Sequence, residues 1–222
     1  MNGMDLLSGC SKCPMSRRSF LASSCAACAG AVGLISSAGN AFAAGDAGKT
    51  RIQIVYALHA VKQPGPDWPN VGFDFAPVME RIENALRNGC PEMEFVTATA
   101  KGQEEAKKIL EDTQSSGIDG YLVYQMNAWN QVVQTLVTSG KPVLYADFQF
   151  GGSGGFLVYT AGFIRNKAPN LGFVASSNQE DLIAAVKCFD IVKKGGSVAD
   201  FVAATARVRK ERTPGSGDLS HP

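Results

Sequence analysis

The sequence predicts an α/β fold: a three-layer αβα sandwich with about five parallel strands, Rossmann-like or flavodoxin-like. Two observations predict it. Short β-rich runs alternate with helical stretches from Arg51 to about residue 195, the pattern of βαβ units around a parallel sheet. Several of those runs are apolar without strict alternation, as strands become when helices cover both faces.

Arg51–Ala57 is the first β-rich run. Phe75–Asn88 carries Val78, Ile82, Ala85 and Leu86 at helical spacing and stops at Gly89-Cys90-Pro91. Met93–Ala98 reads as a second strand. Gln103–Ser116 reads as an amphipathic helix with Ala106, Ile109 and Leu110 on one face, ended by Gly117. A third strand at Gly120–Tyr124 precedes a helix at Ala128–Ser139, ended by Gly140. Pro142–Ala146 is a fourth strand, Gly155–Lys167 a helix by its length, and Leu171–Ala175 a fifth strand. Asn178 caps a long helix expected to reach about Lys194. A last helix is expected at Ser197–Arg209, and Lys210–Pro222, charged and then rich in Gly, Pro and Ser, reads as a disordered tail.

The N-terminal part has a different character. Ser16-Arg17-Arg18-Ser19-Phe20-Leu21-Ala22 resembles the twin-arginine export motif, departing where a Lys is common, at Ala22. A weakly apolar Ala/Ser/Cys/Gly stretch follows, and Ala41-Phe42-Ala43 supplies the small residues a signal peptidase reads. Residues 1–43 therefore read as a twin-arginine signal peptide, 44–50 as a linker, 51–195 as the α/β domain and 196–222 as a C-terminal helix with a disordered tail. The expected address is periplasmic or extracellular, with the twin-arginine export machinery as a partner and the membrane met only through the leader. Cys10, Cys13, Cys25 and Cys28 form two C-x-x-C pairs in this segment. The export motif between the pairs, and the loss of all four on cleavage, argue against a metal site. Cys90 and Cys188 could pair in an oxidising compartment, but positions near helix ends and interiors favour buried free thiols.

The leader holds three basic residues and one acidic residue, so the remainder carries 18 basic against 19 acidic residues, a charge of −1. That balance, without a basic stripe, gives no nucleic-acid footprint.

In an open parallel sheet, ligands bind beyond the carboxyl ends of the strands. The loop His59–Asp74 contains Lys62, Asp67 and Trp68, and its prolines favour a fixed, non-helical path. The loop after the third strand has Gln125, Asn127 and Trp129. After the fourth come Asp147, Phe148, Gln149 and Phe150, then the Gly151–Gly155 run. Ser176, Ser177 and Asn178 follow the fifth. Amide, carboxylate and tryptophan together suit a sugar-like ligand: planar polar groups grip hydroxyls and aromatic faces cover C–H surfaces. The candidate ligand-binding residues are Asp67, Trp68, Gln125, Asn127, Trp129, Asp147 and Gln149. Each also has a structural reading: Asp74 and Asn178 as helix caps, the tryptophans as covers of the sheet end, Asp119 as a turn residue. The Gly-rich run could cradle an anion but lacks both the P-loop Lys-Ser/Thr and the dinucleotide spacing.

His59 and His221 are the chain's two histidines, and no Gly-x-Ser-x-Gly elbow occurs. No His/Cys/carboxylate cluster outside the leader has metal-ligand spacing. Catalytic residues are therefore left unassigned, and no metal site or cofactor motif is visible.

Gly117-Ile-Asp-Gly-Tyr-Leu-Val-Tyr-Gln125 through Gly140-Lys-Pro-Val-Leu-Tyr-Ala-Asp147 resembles the N-terminal region of exported L-fucose/L-arabinose isomerase-like proteins, with the likeness extending over about 51–195. The resemblance implies recognition of a carbohydrate. In that family the Mn²⁺ ligands and acid/base carboxylates lie mainly in later domains, so Mn²⁺ enters through the resemblance alone and a complete isomerase is not expected here. The same element order resembles one lobe of type I periplasmic sugar-binding proteins, which implies a non-enzymatic binding or sensing lobe instead.

Overall fold

The computed structural model describes residues 48–127, 129–148 and 153–212. Residues 1–47, which include the segment read as a leader, together with Ala128, Gln149–Gly152 and the rest of the segment read as a tail, from residue 213, lie outside the described residues. Five strands, β1 (Thr50–Ala57), β2 (Met93–Ala100), β3 (Gly120–Gln125), β4 (Val143–Asp147) and β5 (Leu171–Val174), form one sheet. The strand order is β2-β1-β3-β4-β5 and every pairing is parallel. This is the doubly wound order whose connections diverge between β1 and β3. β1 opens at Thr50, at the end of the segment read as linker, and its hydroxyl donates to Asp190 at 2.6 Å.

Side chains alternate across the sheet and divide the core in two. Ile52, Ile54, Leu122, Leu144 and Val174 face one layer of helices: α1 (Ala76–Gly89), α5 (Gln179–Val186), α6 (Phe189–Lys193) and α7 (Val198–Arg212). Val55, Val123, Val143, Tyr145 and Leu171 face the other layer: α2 (Gln103–Thr113), α3 (Val132–Val137) and α4 (Ser153–Arg165). Among the described residues, no helix is long and apolar enough to cross a membrane. Cys90 and Cys188 are both buried free thiols.

Several boundaries differ from expectation, the second strand running to Ala100 and the fourth helix spanning Ser153–Arg165 among them, and four have a local reason. The third helix starts at Val132, not Ala128, because Trp129 and Gln131 take left-handed φ values of 62° and 57°. Asn130 fills the turn: its amide donates to the Ala57 and Asn127 carbonyls, and its oxygen accepts from Val132 N. The second helix ends at Thr113, whose hydroxyl bonds back to Ile109 O and meets the Tyr121 hydroxyl at 2.7 Å. The helix expected to reach Lys194 breaks at Lys187–Cys188, where i→i+3 bonds tighten the turn. Phe189 thereby stacks on Phe201 at 4.7 Å. Finally, Lys210–Arg212 belong to α7 rather than to a tail. That helix is part of the domain: Thr205 sits against Gly172 of β5, and the Arg209 guanidinium lies 3.6 Å from the Phe173 ring centre.

Candidate functional site

The strands deliver their polar residues to the carboxyl rim, and a cleft of about 260 Å³ opens there beside β3, β4 and β5. Its polar lining comes from four elements. Tyr124 stands near the end of β3, Asp147 closes β4, Arg81 projects from α1, and Ser176, Ser177, Asn178 and Gln179 lead into α5. Val78, Ile82, Phe148 and Leu182 supply the apolar wall. Two larger cavities, about 390 and 510 Å³, lie at the opposite edge, around Tyr121 and Lys141 and around Pro169 and Val198. They sit at the amino ends of the strands, where this fold class does not place ligands.

The lining is held by local chemistry. Asn178 caps α5 by accepting from Glu180 N at 3.0 Å, as the sequence implied for this residue. Ser176 donates to Asp181 at 2.5 Å and accepts from Asn178 N at 3.1 Å, which fixes the turn out of β5. Burial pushes the Tyr124 phenol up to about 12, with the Asp147 carboxylate adding to the shift. Tyr124 therefore stays a neutral hydroxyl through the physiological range, beside an acidic partner.

The seven sequence-derived candidates separate into three groups, with Gln149 outside the described residues. Asp147 lines the cleft. Gln125 and Asn127 are fully buried, and their side chains hold other parts of the rim. Gln125 donates to the Asn127 carbonyl and accepts from the Tyr145 hydroxyl at 2.8 Å. Asn127 accepts from His59 N at 2.9 Å and donates to the Trp68 carbonyl at 2.9 Å and to Gln63 at 3.3 Å. Asp67, Trp68 and Trp129 stand on the outer rim. Asp67 accepts from Trp68 N at 2.8 Å and lies 3.4 Å from His59 Nδ1. Trp68 and Trp129 are 62% and 64% exposed.

The other singled-out residues fall into structural roles. Asp74 accepts from Ala76 N at 2.9 Å at the start of α1. Asp119 accepts from Arg51 N at 2.8 Å and pairs with Lys193. Part of the Gly-rich run is the first turn of α4. Among the described residues, no three His, Cys, Asp or Glu side chains are grouped closely enough to hold a metal.

Arg81, Tyr124 and Gln179 were not among the sequence-derived candidates. Strand parity carried the signal for Tyr124. It lies two residues beyond Leu122 and so faces the α1/α5 layer, whereas Gln125 faces the opposite layer.

A scan against protein-family models gives no match. A search of curated proteins gives none either. Solved structures do match. A sugar ABC transporter from Yersinia enterocolitica subsp. enterocolitica is 12% identical, with a TM-score of 0.34 over 76% of this chain and 46% of its own. A LacI-family regulatory protein from Chloroflexus aggregans is 10% identical, with a TM-score of 0.32 over 72% and 73%. The transcription regulator CcpA of Lactococcus lactis is 10% identical, with a TM-score of 0.32 over 73% and 74%. The chain thus spans less than half the length of the first. None of these three is a sugar isomerase.

Proposed function

We propose that this domain is a non-enzymatic carbohydrate-binding lobe that takes a sugar ring into the Tyr124–Asp147–Arg81 cleft. The observation that carries the reading is the convergence of a carboxylate, a guanidinium, a neutral phenol and the Ser177–Gln179 groups on one apolar-walled cleft at the carboxyl rim. Such a set donates and accepts in several directions at once, as a polyhydroxylated ligand requires. At about 260 Å³ the cleft lies just below the usual range of roughly 300–1,000 Å³ for drug-sized ligands. That size suits one sugar ring.

Turnover is not part of the proposal. Isomerisation needs a group that exchanges protons near neutral pH, and Tyr124 holds its proton up to about pH 12. His59, the one described histidine, pairs with Asp67 on the outer rim and does not line the cleft. Arg17-Arg18 and Ala41-Phe42-Ala43 support export as the route by which the domain reaches its ligand. Fractionation of cells making the wild type and an Arg17→Lys/Arg18→Lys variant tests that route, and equal export of the two would count against it.

Calorimetric titration of the purified protein with neutral aldoses, ketoses, amino sugars and uronic acids tests the binding. At least one class gives saturable heat, and Asp147→Ala weakens it at least tenfold, about 1.4 kcal/mol. Heat from no class, or affinity indifferent to both Asp147→Ala and Arg81→Ala, would overturn the reading.

A further inference from the structure

We infer that the ligand is an oligosaccharide rather than a free monosaccharide, with one ring in the cleft and further rings stacked on an aromatic platform made by Trp68 and Trp129. The inference rests on the carbohydrate reading above and adds a second subsite to it.

The two indoles are the only tryptophans in the chain, and both stand largely in water on the carboxyl rim. Both rings stand on firmly held backbone. The Trp68 amide donates to Asp67 Oδ1 at 2.8 Å, and its carbonyl accepts from Asn127 Nδ2 at 2.9 Å. Trp129 keeps a left-handed φ of 62°, a conformation that persists only where the surroundings over-determine it. Those surroundings are Asn130, bonded to the Ala57 and Asn127 carbonyls, and Tyr159, which meets the Trp129 ring edge-on at 6.0 Å.

The platform and the cleft belong to one rim. Asp147 of the cleft is the register partner of Gln125 on the neighbouring strand. The Gln125 amide holds the Asn127 carbonyl, and the Asn127 amide holds Trp68. Trp129 follows Asn127 by two residues. One buried brace thus ties the backbones that carry both tryptophans to the strand next to the one that ends at Asp147.

The chemistry of the platform selects its occupant. Trp68 is accompanied by the His59–Asp67 pair, whose side chains are 39% and 36% exposed. Aromatic faces beside solvent-facing hydrogen-bonding groups fit sugar rings, which present C–H faces and hydroxyl edges together. The cleft holds one ring, so a chain of rings is what engages both subsites at once, and joining them in one molecule raises affinity by effective concentration.

The test uses linear α-1,4 and β-1,4 glucan, xylan and mannan oligomers of one to six units, read by calorimetry and by intrinsic fluorescence. Because both fluorophores are platform residues, emission reports on the platform directly. Affinity for one series rises at least tenfold from monomer to trimer, with a blue shift in emission. Trp68→Ala and Trp129→Ala each flatten that dependence on length, whereas Trp68→Phe and Trp129→Phe retain most of it. Asp147→Ala lowers every member of the series by a common factor. Leu157→Ser, an exposed apolar residue on α4, leaves the series unchanged and serves as the control.

Affinity independent of length, with monomers still bound and still sensitive to Asp147, would overturn this inference and leave the cleft reading intact. Failure of every sugar to bind would remove both. If the tryptophan variants instead dissolve a dimer in light scattering without altering the length dependence, the platform is an interface between copies and the inference falls.

Discussion

Replacing Asn127 with alanine tests whether the rim is built as described. The side chain is fully buried and makes three hydrogen bonds to the β1–α1 loop: from His59 N, to Trp68 O and to Gln63 Oε1. Each intact bond contributes about 0.5–1.5 kcal/mol net, and a buried group left without a partner costs about 1–3 kcal/mol. Water reaching the exposed ends of the loop offsets part of this, so the expected loss is about 2–4 kcal/mol. For a domain of this size each kcal/mol lowers Tm by about 2–4 °C, which gives a drop of roughly 5–15 °C. Equilibrium urea denaturation followed by circular dichroism measures the loss, and a calorimetric scan measures Tm. Native-state fluorescence anisotropy should fall as Trp68 gains freedom. Asn127→Asp keeps the acceptor for His59 N but cannot donate to Trp68 O, so its anisotropy should fall as well. A loss below 1 kcal/mol with unchanged anisotropy would refute the reasoning. The loop would then be held by its remaining bonds, among them Gln63 N to Phe73 O, Gly72 N to Gln63 O and Phe75 N to Val61 O.

The remaining predictions concern packing and protonation. An added Cβ at Gly172 would lie 2.6 Å from Thr205 Oγ1 and 2.8 Å from its Cγ2, so Gly172→Ala should cost about 1–3 kcal/mol by overpacking. Thr205→Ala in the same chain should restore more than half of that in urea unfolding. The Lys101 backbone N–H, 2.6 Å from Glu105, holds the Glu105 carboxyl below its ordinary value, with the Lys101 side chain contributing after it. A depressed folded-state pKa gives stability that is present above the unfolded value and lost as pH falls through the folded one. Glu105→Gln should therefore flatten the acid limb of the urea midpoint below about pH 5. Tyr124 should ionise at about 12 in a phenolate absorbance titration. Its raised folded-state pKa adds stability below the ordinary value of 10, lost as pH rises toward 12. Asp147→Asn should lower that pKa while leaving it above the ordinary value, because burial is the larger cause.

The sheet and its helices were legible because their signals are periodic. Val78, Ile82 and Leu86 repeat at helical spacing, and they are the buried face of α1. Glycines marked real turns where φ is positive, at Gly117 and Gly140. The start of α3 was not legible, because left-handed backbone falls there on Trp129 and Gln131, residue types that do not announce it. The break between α5 and α6 was hidden for another reason. Leu182, Val186 and Phe189 all read as one helical face, and only contact with Phe201 and Gly120 turns Phe189 onward.

The same physics explains how the site reading divided. Amides after a central parallel strand can meet a ligand or hold the loops that meet it, and burial decides which. A buried amide has four hydrogen-bonding positions to satisfy, and an unsatisfied one is costly. Gln125 directs its amide at the Asn127 carbonyl and the Tyr145 hydroxyl, and Asn127 directs its own at the His59 N–H, the Trp68 carbonyl and Gln63. They therefore hold Trp68 and the loop in place rather than line the cleft. Arg81 was within reach of the same logic. Helices of a parallel α/β sheet run back against the strands, so the first turns of α1 lie at the carboxyl rim, and Arg81 lies there between the core-facing Val78 and Ile82. In such folds the charged residue flanking the first core positions of a helix is as strong a candidate for the cleft as any residue of the loops.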